Sequence, residues 1–163
     1  MRSGELAGEK VTRQSGFTLI GLLFLVSVLG LLLALVGRNW QTAVAREKEA
    51  QLLFVGDQYR LALTAYYQST PGSDKVYPKK LEDLLIDPRF PNTVRHLRRL
   101  WQDPVGGGEW VLLRDERGGI KGLHSPSSSR PRKIAGFPKQ DLTFEGAGHY
   151  SDWVFATVVE ATH

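Results

Sequence analysis

Residues 17–37 run for 21 positions without a charge, and 16 of them are apolar. As a helix this run is about 31 Å long at ~1.5 Å per residue, matching a hydrocarbon core of about 30 Å. It predicts a single membrane-spanning segment. Gly21, Gly30 and Gly37 weaken a helix in water, but small residues let membrane helices approach one another closely. Arg2, Lys10 and Arg13 precede the run, and Arg38, Arg46 and Lys48 follow it. With cations on both sides, the bias toward a cytoplasmic N-terminus is slight. A secretory signal has a shorter apolar core of roughly 7–15 residues and an Ala-x-Ala-like site behind it. This run is too long and has no such site.

Proline divides the rest of the chain. All eight prolines lie at or beyond Pro71, so no obligate helix breaker interrupts residues 17–69. Leu52, Val55, Tyr59, Ala62 and Tyr66 step by three and four, a single helical stripe. Arg46, Lys48, Glu49, Asp57 and Arg60 fall largely off it. The expectation is one helix of about 53 residues, near 80 Å, apolar all round in its first half and amphipathic in its second. Beyond Pro71, residues 79–85 predict a short helix, and residues 94–100 a helical turn. Residues 109–114 and 120–125 predict two strands joined by a five-residue hairpin loop. Residues 125–133 predict a mobile polar loop, and residues 153–159 a last strand. The predicted fold class is α+β.

The string Ser15-Gly16-Phe17-Thr18-Leu19-Ile20, with the apolar run directly behind it, resembles the cleavage and methylation signal of type IV prepilins and type II secretion pseudopilins. The resemblance implies a pilin-like fold, with one long N-terminal helix, its first half transmembrane, packed on a small antiparallel β-sheet domain. It implies a leader at residues 1–16, a transmembrane half at 17–37, an amphipathic half at 38–70 and a periplasmic domain at 71–163. It also implies cutting between Gly16 and Phe17 by a prepilin peptidase, followed by N-methylation of Phe17. Tyr77-Pro78, Leu100, Asp103-Pro104, Gly108, Trp110, Gly119-Ile120, Gly122 and Ser125 look, less specifically, like the soluble domain of pseudopilins. Pilins that build long surface fibres usually carry a C-terminal disulfide loop. This chain has no cysteine, which tilts the resemblance toward pseudopilins.

Gly21 departs from the family pattern, which usually has glutamate five residues into the mature chain. In a filament core that carboxylate compensates the neighbouring subunit's buried terminal ammonium. Such a pair at ~4 Å is worth about 4 kcal/mol at an effective dielectric of 20, before desolvation. Glycine cannot supply it. In the family, a minor subunit lacking this acid sits at the filament tip, so Gly21 implies a minor or tip-proximal subunit. Equally, apolar packing alone suffices and Gly21 only tightens helix contact. Both readings stand at this point.

No catalytic constellation is visible. His96, His124, His149 and His163 have no metal-ligand spacing and no cysteine partners. Ser127, Ser128 and Ser129 lack a nucleophile elbow. Gly106-Gly107-Gly108 lacks the lysine and hydroxyl of a phosphate loop, and Glu82 and Asp83 point apart on a helix. No enzyme activity and no cofactor are expected. Calcium is the one ion the residues bring to mind, through Asp141, Glu145, Ser151 and Asp152 as hard oxygen ligands. Two basic clusters, Arg95, Arg98 and Arg99 beside His96, and Arg130, Arg132 and Lys133, raise nucleic acid as a partner. Residues 71–163 hold 14 basic against 12 acidic residues, a balance of only +2, so solvated or inter-subunit charge is the favoured reading.

The function expected is that of a structural subunit in a type II secretion filament. Its partners are prepilin peptidase, other pseudopilins and an inner-membrane assembly platform. The alternatives are a type IV pilus minor pilin, in adhesion or DNA uptake, and a single-pass anchored periplasmic binding domain. The expected location is the bacterial inner membrane, with the N-terminus cytoplasmic and the C-terminal domain periplasmic.

Overall fold

The computed structural model describes residues 15–157, with side chains for residues 18–33 and 41–157. Most of the expected leader, the end of the expected last strand and His163 lie outside the described residues. The chain divides into two compact units, Met1–Ala43 and Val44–His163. Helix α1 covers Ser15–Gln68. In the second unit it is followed by a short 3-10 helix at Leu81–Leu84, strands β1 (Val111–Arg114) and β2 (Ile120–His124), 3-10 helices at Lys139–Phe144 and Tyr150–Asp152, and strand β3 (Phe155–Ala156).

The predicted pilin-like fold with a transmembrane first half is corrected. The structure is a small α+β arrangement with a three-stranded antiparallel sheet in the order β1-β2-β3. Among the described residues no helix is long and apolar enough to cross a membrane.

The core of the second unit forms where the stripe read from the spacing meets the sheet. Leu52, Val55, Tyr59, Ala62 and Tyr66 are buried, together with Ile120 and Leu123 of β2, Phe155 of β3, and Trp153, Phe144 and Phe137. Phe144 stacks on Trp153 at 5.4 Å, and the Phe155 ring meets Phe144 edge-on at 5.2 Å. Gly56 lies where α1 meets β3: a Cβ there would fall 2.4 Å from the Phe155 ring. A mid-helix glycine costs about 1 kcal/mol relative to alanine, and here it makes room for an aromatic ring.

The sheet is closed by local chemistry. Asp115 Oδ1 accepts the N–H groups of Arg117 and Gly119, and Gly118 takes a positive φ of 79°, so the five-residue loop folds as a tight hairpin. At Gly122 a Cβ would meet the Ala156 backbone at 2.9 Å, so the glycine permits β3 to pair closely with β2. The helical turn expected at residues 94–100 is absent. The N–H groups of His96 and Leu97 instead both bond the carbonyl of Leu84, holding that segment as a return loop. The residue 79–85 helix is shortened to a 3-10 turn, entered where Asp83 accepts the N–H groups of Lys79 and Lys80.

Candidate functional site

The residues expected from the sequence to serve processing and assembly, Gly16, Phe17 and Gly21, lie on the first part of α1. Gly16 and Phe17 are helical in backbone. From Leu19 to Leu33 all twelve large apolar side chains are exposed, from 37% at Val28 to 71% at Phe24 and Leu33. A contiguous apolar surface of this kind marks contact with lipid or with another protein. Ser27 does not interrupt it, because its hydroxyl donates back to the Leu23 carbonyl at 2.8 Å. A Cβ at Gly21 meets nothing within 4 Å, so a larger side chain there would enter open space.

The second unit is held by buried charges that the helical pattern did not single out. Glu49 and Arg60, read as off the stripe, are each only 6% exposed. Glu49 does lie three residues before Leu52, so its place on the stripe was a legible signal. Its carboxylate accepts the N–H groups of Arg132 and Lys133, at 2.7 and 3.0 Å, and the hydroxyl of Tyr150 at 2.8 Å. Burial, and then the bond to this carboxylate, push the Tyr150 hydroxyl up to about 12. Arg60 donates to Asp141 at 2.6 Å and reaches Asp57 at 3.3 Å.

A second cluster closes the C-terminal end of α1. Arg89 donates to the Tyr66 carbonyl at 2.9 Å and to the Thr70 hydroxyl at 2.6 Å, with its guanidinium 3.5 Å over the Tyr66 ring. Lys75 donates to the carbonyls of Gln68 and Thr70. Cations thus occupy the end of the helix where carbonyls lack partners and the dipole is negative. Fully buried Asp87 holds Arg89 in place and is also bonded to the His96 ring at 3.0 Å. Burial raises the Asp87 carboxyl, but the hydrogen bonds from Arg89 and His96 outweigh it and hold it at about 2.

Several sequence expectations are relocated by these contacts. Residues 125–133 are not a free loop. Ser125 is buried and donates to Asp103, the carbonyls of Ser127 and Ser129 accept from Ser151 and Tyr150, and the segment ends on Glu49. Gly106-Gly107-Gly108 is a turn around the Asp103 carboxylate, which accepts the N–H groups of Val105 and Gly106. His96 is bound to Asp87, while His124 and His149 bond the carbonyls of Ser125 and Ser128. The four oxygen ligands considered for calcium are not brought together as a cage. Asp141 is taken by Arg60, Glu145 accepts from Gly136, and Asp152 accepts from His149. Among the described residues no group of three or more acids or histidines is placed to hold a metal ion. Arg95, Arg98 and Arg99 are all exposed, and Arg99 lies 5.2 Å over the Trp101 ring.

A cleft of about 420 Å³ opens beside Trp101, lined by Leu81, Leu100, Leu112 and Trp110. Its floor is organised by one carbonyl: Trp101 O accepts both the Tyr59 hydroxyl at 2.9 Å and the Trp110 ring N–H at 2.8 Å. No family model, no curated protein and no solved structure matches this chain.

Proposed function

We propose that this chain is a structural subunit of a pilin-type filament, a pseudopilin-like component of type II protein secretion, that acts by assembly and not by catalysis. The observation that carries the reading is the unbroken exposure of the twelve apolar side chains from Leu19 to Leu33, directly behind the Ser15-Gly16-Phe17-Thr18-Leu19-Ile20 string. Such a surface needs an apolar partner. In the proposed scheme lipid of the bacterial inner membrane covers it in the precursor, with the N-terminus cytoplasmic and the C-terminal unit periplasmic.

Prepilin peptidase cuts between Gly16 and Phe17 and Phe17 is methylated. The apolar segment then leaves lipid for the helices of neighbouring subunits, with an inner-membrane platform driving assembly. The exchange replaces one apolar surrounding with another, so packing and small residues such as Gly21 and Gly30 decide it. Gly21 supplies no carboxylate for a neighbour's ammonium, which suits a minor or tip-proximal subunit.

The deciding experiment is the intact mass of the protein extracted from membranes of its native host. A chain beginning at N-methylated Phe17 is the expected result. A chain retaining Met1–Gly16 would overturn the reading in favour of an anchored binding domain. With processing established, loss of secreted enzymes on deletion is expected. Loss of twitching or transformation instead would reassign the chain to a type IV pilus.

A further inference from the structure

Arg46, Arg132 and Lys133 converge on one cleft of about 550 Å³, with Glu49 at its floor. Glu49 offsets only part of this charge and leaves the lining net cationic; its oxygens accept the main-chain N–H groups of Arg132 and Lys133 and the Tyr150 hydroxyl. None of the three side chains forms a hydrogen bond or ion pair among the described residues. Lys133, also in the lining, places its ammonium 4.7 Å from the Phe137 ring centroid. Arg46 and Arg132 are exposed, and their forked donors suit the oxygens of a phosphate group.

From this arrangement we infer that the cleft binds the phosphate headgroup of an anionic phospholipid. Two features favour a lipid over a free phosphate. In sequence, Arg46 follows the apolar run by only nine residues, and that run is the segment proposed above to lie in lipid. Basic groups next to an apolar anchor draw anionic lipid headgroups toward them. The inference rests on the membrane placement proposed above and adds a ligand to it. The bound lipid would hold the globular unit against the bilayer before assembly, and would have to be released as the subunit enters the filament.

The test uses the full chain in uncharged detergent micelles containing phosphatidylglycerol, phosphatidylcholine or, as a third probe, sodium phosphate. The readout is the thermal midpoint followed by tryptophan fluorescence, since a ligand of the folded state raises it. Phosphatidylglycerol is expected to raise the midpoint and the other two are not. R46Q/R132Q is expected to weaken the phosphatidylglycerol response about thirtyfold for the loss of two cations. R95Q/R98Q, in the other basic cluster, is expected to keep it.

An equal rise with sodium phosphate would make the cleft a free-phosphate site and overturn the proposal. So would an equal rise with phosphatidylcholine, or an undiminished response in R46Q/R132Q. The mass of the native protein is measured separately. A native chain that keeps Met1, together with an intact lipid response in the micelles, would sink the filament reading alone. A native chain starting at Phe17, together with no lipid response, would sink the lipid site alone.

Discussion

The Tyr150 hydroxyl donates a 2.8 Å hydrogen bond to Oε2 of Glu49, joining side chains 101 residues apart. With the two N–H groups from residues 132 and 133, it satisfies a buried carboxylate using only neutral donors. Tyr150→Phe removes one donor from a charged acceptor and is expected to cost about 1–3 kcal/mol, read from the urea midpoint. The pH dependence has a definite sign. Tyr150 is raised from 10 to about 12 in the folded chain. Its contribution is therefore complete below pH 10 and fades as the pH rises toward 12. Tyr150→Phe should flatten that alkaline limb.

Asp87 acts at the other end of the scale. Held at about 2 against an ordinary value of 3.8, its stabilisation is present above pH 3.8 and is lost as the pH falls through 2. The size is about 2 kcal/mol. Asp87→Asn should remove the acid limb in that window. It should also loosen the end of α1, because Arg89 loses the carboxylate that positions it over Tyr66. Faster amide hydrogen exchange at residues 66–70 is the local readout.

Gly56→Ala is expected to destabilise the second unit by about 1–3 kcal/mol, although alanine is the better helix former. The added methyl meets the Phe155 ring at 2.4 Å. Adding Phe155→Leu should recover part of the loss. Recovery in the double variant distinguishes overpacking from a change in the helix itself.

Arg60 and Asp141 bury both partners of an ion pair, each with a side chain only 7% exposed. Asp141→Ala leaves the guanidinium buried without its main partner and should cost about 3–5 kcal/mol. Arg60→Met with Asp141→Leu should cost much less, since no charge is then left unpaired. A double-mutant cycle in urea measures the difference.

Gly21→Glu introduces a side chain into open space, so the thermal midpoint of the full chain should not fall. If the subunit is tip-proximal because it lacks the acid, the variant should appear along the filament instead of at its end. Immunogold labelling reads the position.

The sequence by itself determined what depends on periodicity and composition. The three–four spacing of Leu52, Val55, Tyr59, Ala62 and Tyr66 defined the buried face of α1. The Asp115–Gly119 segment carried the turn chemistry that joins β1 to β2. The apolar run and its Ser15–Ile20 string were also legible, because they are contiguous. Glu49 was half-legible, on the stripe by position and off it by polarity. Only the tertiary structure decided what closes over long separations. The pairing of Glu49 with Tyr150, of Arg60 with Asp141, and of Arg89 with the end of α1 depends on where the chain returns, and no local preference encodes that. The same reason explains the corrected 125–133 segment, whose polar composition reads as a free loop. Its main-chain groups are held by partners on α1 and on the Tyr150–Asp152 turn, far away in sequence.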